Sequence, residues 1–447
     1  MKKEQLQINQ ITEGVIWKQL LFFFFPIVFG TFFQQLYNTV DTIIVGHYVG
    51  KDALACVGGS AASITNLIIS FYAGLASGAS VVIAQFYGAK NDKAVKDGLH
   101  TAFTFTIILS VVVGVVGYLL VPSLLRFMNN PEELMADTIL YLRIYFSSVL
   151  FVFIFNIGSA ILRAVGDAKN PLYYLIACCL INIVLDYVFV AKFHLGVAGV
   201  AWATWIAQAV SASLVVWKLI KTEGVVKLEF SNLKICPSIF KSQIRIGLPT
   251  GIQASLFCIS NIIIQAALNT FGTDIVAAWS VFGRLDAIYW MVSGAFGIAI
   301  TTFVGQNYGA GKHDRVRKSV GICLIMHLIV AGIIASFLLF FRTPLFHLFT
   351  TDINVIQIGT HMMMLIVPYY IFYAFTEIFS GARKGVGDVM IPMIITLFGT
   401  CFLRIVWVIV CQCYHLSADT IIYCYPVTWV LCAVLFIIYY LKTRKKL

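Results

Sequence analysis

Long apolar runs dominate the chain, broken at intervals by short clusters of charged residues, Gly and Pro. Leu99 to Leu120, Cys323 to Phe341 and Ile421 to Tyr440 are each long enough to cross hydrocarbon, which takes about 20 residues of helix. Within these runs the apolar residues continue without the strict alternation of a barrel strand. The pattern therefore selects helices, one of the two backbone arrangements that satisfy their own polar groups in lipid. Read this way, the chain holds about twelve spans. In the first half they cover approximately 16–44, 54–84, 98–121, 135–161, 171–192 and 196–217. In the second they cover 238–269, 276–305, 320–341, 356–381, 391–413 and 420–441. The expected fold class is an all-α polytopic membrane protein.

The polar punctuation repeats. Gln85-Phe86-Tyr87-Gly88-Ala89 is followed by Val165-Gly166-Asp167-Ala168-Lys169-Asn170-Pro171, and Gln306-Asn307-Tyr308-Gly309-Ala310 by Val386-Gly387-Asp388-Val389-Met390-Ile391-Pro392. Gln to Pro is 86 positions in both cases. Pro26 and Pro249 sit in matching hydrophobic segments, with Gly50-Lys51-Asp52 and Gly272-Thr273-Asp274 following. Two copies of one bundle are the plan of a transporter with a central cleft. The expected organisation is a six-helix N-lobe over 1–222, a cytoplasmic linker over 223–240 and a six-helix C-lobe over 241–447.

Composition agrees with the pattern. The 447 residues are 60% hydrophobic and 11% charged, and mean hydropathy is +0.90. A soluble domain is about 25% charged. The formal charge of +11 is a matter of orientation, and nucleic acid is not expected as a partner. Lys2, Lys3, Lys90, Lys93, Lys96, Arg163 and Lys169 fall at one set of loop positions. So do Lys218, Lys221, Lys227, Lys234, Lys241, Arg245, Lys312, Arg315, Arg317, Lys318, Arg383 and Lys384, with the tail Lys442, Arg444, Lys445 and Lys446. The alternate loops hold little beyond Lys51, Arg126, Lys192 and Arg342. By the positive-inside rule both termini are cytoplasmic, which makes the crossings even in number and the two repeats parallel. Met1 to Gly14 is polar and lacks a small-residue cleavage site, so the first apolar run reads as a retained helix. The eleven cysteines lie mostly within spans and form no CxxC pair, which suits packing and not metal binding.

Ionisable groups at membrane depth cost free energy and mark function by default. Gln34, Tyr37, Asn38 and Asp41 share one face of the first span, and Asn182 and Asp186 are an i, i+4 pair on the fifth. The sixth offers Thr204. At 1.5 Å per residue, Asp41 and Thr204 lie roughly 8–12 Å below the outer surface, and Asp186 about 22 Å above the cytoplasmic end. Two carboxylates in one low-dielectric pocket can take up a proton between them. Alternatively, oxygens of Asp41, Asp186 and Asn182 can coordinate Na⁺.

In the second half, Glu377 is the repeat-equivalent of Asn156, and Asp286 lies in the eighth span. Both could attract cationic cargo to a cavity shared with Tyr37, Asn38 and Tyr373. Tyr37, Tyr289, Tyr369 and Tyr373 offer cation–π surface to an organic cation. The bland reading of Glu377 is a carboxylate stabilised by Arg383 or Lys384 near the cytoplasm. His327, His361 and Arg404 read as packing or interface residues.

The six-plus-six layout, the paired Gln-x-Tyr-Gly-Ala segments and the paired Val-Gly-Asp-x-x-x-Pro elements resemble the multidrug and toxic compound extrusion (MATE) transporters, over about Trp17 to Tyr440. The set Gln34, Asp41, Asn182, Asp186 and Thr204 is similar to the N-lobe cation site of bacterial members, and Asn156 matches a polar position on their fourth helix. One branch of the family carries a glutamate on the seventh helix soon after its proline. Pro249 to Phe257 holds no acid, so coupling through the N-lobe is expected. The resemblance implies secondary antiport in a bacterial cytoplasmic membrane by a monomer with no bound cofactor. Inward H⁺ or Na⁺ would drive export of amphiphilic organic cations.

Two rival transporter readings are a major facilitator and a lipid-linked precursor flippase. The loop Gly88 to Lys96 lacks the second glycine of the first, and the second needs a cationic cavity where the embedded charges here are mostly acidic. No HExxH, GxSxG, P-loop or GxGxxG arrangement points to an enzyme.

Overall fold

The computed structural model describes residues 11–414 and 416–444; Lys2, Lys3, Lys445 and Lys446 of the charge argument lie outside them. Among the described residues, twelve helices are long and apolar enough to cross a membrane. They are α1 (Ile16–Tyr48), α2 (Lys51–Gly88), α3 (Asp92–Phe127), α4 (Glu132–Ala164), α5 (Lys169–Lys192) and α6 (Gly196–Lys221). The second series is α7 (Pro237–Phe271), α8 (Thr273–Gly309), α9 (His313–Phe340), α10 (Ile353–Gly385), α11 (Met390–Cys413) and α12 (Ala418–Thr443). The protein is a twelve-span, all-helical membrane protein, as the apolar runs predict.

Helix lengths repeat with the motifs. The second, fourth, fifth and sixth helices of each series have 38 and 37, 33 and 33, 24 and 24, and 26 and 26 residues. The third pair differs because α3 runs through Pro122, whereas α9 stops at Phe340 and a short helix, Arg342–His347, follows. The helices outrun the apolar segments because polar caps extend them. Asn91 accepts from the Ala94 amide at 3.1 Å to start α3, and Asp352 accepts from the Asn354 and Val355 amides to start α10.

The repeated Val-Gly-Asp element is a helix stop followed by a helix start. Gly166 and Gly387 adopt φ of 99° and 88°, a left-handed conformation that ends α4 and α10. Asp167 then accepts from the Asn170 amide at 3.1 Å. Its counterpart Asp388 instead pairs with Arg383, at 2.6 Å to Nη2, and accepts from the Tyr439 hydroxyl.

The chain forms two compact units. The first holds 25–251 and the second 11–24 with 252–444, within the described residues. In the first, α4 packs on α2, α3 and α6, with Phe103, Phe146, Phe153, Leu142 and Val149 in the core. In the second, α10 packs on α8, α9 and α12 around Tyr289, Tyr370, Phe282 and Trp429. The boundaries fall inside helices: the start of α1 lies with the second unit, and 223–240 and the start of α7 lie with the first.

The exchange at α7 has a plain cause. Gly74 and Gly78 on α2 face Gly247 and Gly251 on α7 so closely that a Cβ on Gly74 would sit 2.4 Å from the Gly251 Cα. This small-xxx-small pairing lets two backbones touch. Upstream, the 222–236 linker is pinned to α3: His100 Nε2 accepts from the Glu229 amide at 3.1 Å and Thr101 Oγ1 from the Cys236 amide at 3.0 Å. The start of α1 is held in the second unit by carbonyl contacts. Arg315 donates to the carbonyls of Ile11, Glu13 and Gly14, and Lys312 to that of Thr12. Phe24 stacks on Phe296 with centroids 4.2 Å apart.

Candidate functional site

In the first unit, α1 and α5 bring Asp41 and Asp186 into direct contact. Asp186 is fully buried and Asn182, one turn before it, is 1% exposed; Asp41 is half-buried. The helix carrying them changes form at this point. Residues Tyr187–Lys192 make a π-helical turn, with the Phe193 amide reaching back to the Val188 carbonyl at 3.0 Å. Such turns concentrate at functional sites because they re-aim side chains. Tyr37 lies beside Asp41, and Tyr141 on α4 faces both carboxylates, with Tyr145 and Cys178 completing the surround.

The site lacks protein partners for its charge. Both oxygens of Asp186, one of Asp41, both polar atoms of Asn182 and the Tyr145 hydroxyl have no hydrogen-bond partner among the described residues. None of the ion pairs among the described residues involves Asp41 or Asp186. Two buried carboxyl groups without a cationic neighbour need a proton or a small cation between them. The described residues contain no cluster of three or more His, Cys, Asp or Glu suited to a metal. The oxygen donors gathered are those of Asp41, Asp186 and Asn182, a set compatible with a small hard cation but not with a soft transition metal.

The second unit gathers the other acids among aromatic rings. Asp286 accepts from Trp290 Nε1 at 2.5 Å and from the Tyr370 hydroxyl. Tyr370 stacks flat on Tyr289, at 3.9 Å between centroids, and the Tyr289 hydroxyl donates to the Tyr370 carbonyl at 2.8 Å. Glu377 accepts from the Tyr373 hydroxyl at 3.2 Å. Its Oε1 occupies the space a Cβ on Gly297 would need, 1.8 Å away, so Gly297 makes room for the carboxylate. Lys384 acts on Glu377 from seven residues along α10.

The MatE family model matches residues 26–188 and again 249–410, one copy for each half of the internal repeat. The chain belongs to the MATE family. Over 403 residues it is 28% identical to the probable multidrug resistance protein YoeA of Bacillus subtilis, covering 89% of this chain and 87% of that one. It is 28% identical to the probable multidrug resistance protein NorM of Thermotoga maritima, covering 88% and 85%. A more distant relative, 23% identical over 81% of this chain and 80% of its own, is the FAD transporter of Shewanella oneidensis. The fold superposes on an outward-facing multidrug resistance MATE family transporter with a TM-score of 0.91, at 22% identity over 99% of each chain. As a member of this family the chain is a membrane transporter and not an enzyme.

On this MATE scaffold the residues singled out from sequence fall into distinct places. Asp41, Asp186, Asn182 and Tyr37 come together. Gln34 and Asn38 share the α1 face but are exposed, and Asn38 reaches only Gln35, at 3.5 Å. Thr204 is half-buried on α6. Asn156 stands apart: its amide donates to the Val152 carbonyl of its own helix at 2.8 Å. It lies eleven residues beyond Tyr145, about 16 Å along α4. Asp286, Glu377 and Tyr373 join one aromatic cluster in the second unit. Sequence reasoning passed over Tyr141, Tyr145 and Cys178, whose only signal is their position on helix faces that packing alone reveals.

Proposed function

We propose that this MATE transporter exports amphiphilic organic cations in exchange for protons, by alternating access, as a monomer in a bacterial cytoplasmic membrane with both termini inside. The observation that carries this reading is the contact between half-buried Asp41 and fully buried Asp186, with no ion pair to either among the described residues. One proton shared between two touching carboxyl groups removes most of the cost of their burial, and its loss restores a negative site. The negative form attracts a cationic drug, and the protonated form releases it. Exchange follows because a ligand shifts an equilibrium only by its differential affinity for the two states.

Helix α1 supplies the moving part. Pro26 removes a backbone donor two residues past the boundary between the compact units, and Pro249 does so two residues before the matching boundary in α7. Bending is cheapest there. A second reading uses Na⁺ in place of H⁺, supported by the oxygens of Asp41, Asp186 and Asn182. Relatives named for multidrug resistance support the drug cargo, and the FAD transporter shows that cargo class varies between relatives.

The test is uptake of ethidium into inverted vesicles while the proton and sodium gradients are collapsed in turn. Collapse of the proton gradient should abolish uptake, and collapse of the sodium gradient should not. Asp41→Asn and Asp186→Asn should each reduce uptake to the level seen without a gradient. Wild-type uptake in either variant removes that carboxylate from the mechanism.

A further inference from the structure

In the middle of α11 the fold buries a base with no ion-pair partner among the described residues. Arg404 is 0% exposed. Its position is built by a second π-helical turn, Leu397–Phe402, which ends two residues earlier. There the Thr400 carbonyl accepts from the Ser260 hydroxyl at 3.3 Å. Gly399 lets the turn close on α12, since a Cβ there would meet Cys432 Sγ at 2.1 Å. Of the five N–H donors a guanidinium carries, only that of Nε is used, toward Thr428 Oγ1 at 3.0 Å. Nη1 and Nη2 have no acceptor in the protein.

The guanidinium carbon lies over Tyr425, 4.3 Å from its centroid, and 5.9 and 6.0 Å from those of Phe257 and Trp429. These rings stabilise the charge. They offer its N–H groups no lone pair to accept a hydrogen bond. Trp429, 1% exposed, adds a further orphan: its Nε1 also has no acceptor. The two acids of this aromatic cluster are engaged elsewhere, Asp286 by Trp290 and Tyr370, Glu377 by Tyr373. A cluster of buried donors with no acceptor is the complement of an oxyanion. A planar guanidinium edge suits a carboxylate or phosphate that binds with two oxygens.

We propose that Arg404 and Trp429 form an anion subsite that takes the carboxylate of an aromatic zwitterionic ligand. The ligand's rings lie against Tyr373 and Tyr425, which are half-buried and open the cluster to the surface of the unit. Its cationic group is drawn to Glu377, which the Tyr373 hydroxyl holds on the same cluster. The inference rests on the proposed function only in taking the cargo to be aromatic amphiphiles, and it concerns binding, not coupling.

The test compares rhodamine B, with a free carboxylate, with its ethyl ester, a cation of the same ring system. Binding to the purified full-length chain in nanodiscs is read by fluorescence polarisation. The free acid should bind about tenfold tighter than the ester, the worth of a charge-assisted pair. Arg404→Gln should erase that preference while changing ester affinity less than about twofold, and Trp429→Phe should reduce it in part. Equal affinity of the wild type for acid and ester overturns the proposal, and needs no variant to fold. A parallel loss of both ligands in Arg404→Gln also overturns it, since Arg404 would then act through packing. Loss of gradient-driven export in Asp41→Asn should leave the preference intact, so the two proposals fail separately.

Discussion

Gly78→Ala is the smallest change that strikes the packing of the first unit. A Cβ on Gly78 would lie 2.4 Å from both the Gln243 carbonyl oxygen and the Gly247 nitrogen. Ordinary contact begins near 3.4 Å, so α2 and α7 must separate by 3.4 − 2.4, about 1.0 Å, at their crossing. Both neighbours are backbone atoms and cannot rotate away. A gap of that size forfeits about a quarter to a half of the dispersion energy of the atoms flanking it. Overpacking of this kind costs roughly 1–3 kcal/mol. Replacing Gly by Ala in a helix returns at most about 1 kcal/mol. The net effect is destabilising.

Gly283 and Gly294 on α8 are the controls, because a Cβ there meets nothing within 4 Å. Alanine at either should be neutral or stabilising. Gly78→Ala combined with Gly247→Ala should cost less than the sum, since one separation serves both side chains. A thiol-reactive dye follows unfolding in detergent well, because eight cysteines are buried and become reactive only when the chain opens. A melting temperature for Gly78→Ala at or above wild type, with Gly294→Ala below it, would refute the reasoning.

Three further outcomes follow from the linker between the repeats and from the proposed orientation. His100→Ala removes the acceptor of the Glu229 amide, a loss of roughly 1–3 kcal/mol confined to the linker. Trypsin should then cut after Lys227 and Lys234 faster than in wild type, and equal rates would show that His100 does not hold the linker. Lys227 at 3.2 Å and then the Asn232 amide hold the Glu229 carboxyl below the usual range. Their contribution is therefore present above the ordinary carboxylate pKa and lost as pH falls through the lowered one, so acid should loosen the linker, read as faster amide hydrogen exchange over 227–234 once corrected for the intrinsic rate. Cys413 is exposed at the end of α11 and Cys236 is half-exposed in the linker. A membrane-impermeant maleimide should label Cys413 in intact cells and Cys236 only in inverted vesicles; the opposite pattern inverts the topology.

The twelve spans were legible because a long apolar run has few other physical outcomes. Their ends were not, because caps such as Asn91 and Asp352 extend helices into polar sequence. Asp41 and Asp186 stood out as carboxylates in hydrocarbon, and Tyr37 through its place on the Asp41 face, yet Tyr141 and Tyr145 did not, since one tyrosine among 20 carries no mark of its neighbours. The meeting of α2 and α7 left a trace in the sequence, Gly74-xxx-Gly78 against Gly247-xxx-Gly251, that went unread. Pro26 and Pro249 marked matching positions of the repeat but not that each helix changes unit beside them. The π-turns have no sequence signature at all: both are ordinary apolar hexapeptides whose bonding shifts by one residue.

Those two turns bear on how a duplicated scaffold acquires a division of labour. They fall on the fifth helix of each repeat but not at equivalent positions, since Leu397 corresponds to residue 176 and Tyr187 to residue 408 at the repeat offset of 221. Each re-aims a different part of the same helix, and what it presents differs in sign. The first unit gathers Asp41 and Asp186 without a base; the aromatic cluster of the second satisfies Asp286 and Glu377 with Tyr and Trp donors and leaves Arg404 without an acid. An unpaired charge at membrane depth is costly enough that a chain under no other demand replaces it with an apolar residue. Two such charges of opposite sign, one in each copy, are hard to attribute to packing. Asp41 and Asp186 seek a small cation; Arg404 seeks an oxyanion. On the two proposals above, a proton answers the first demand, and among amphiphilic cargoes those that also carry a carboxylate answer the second.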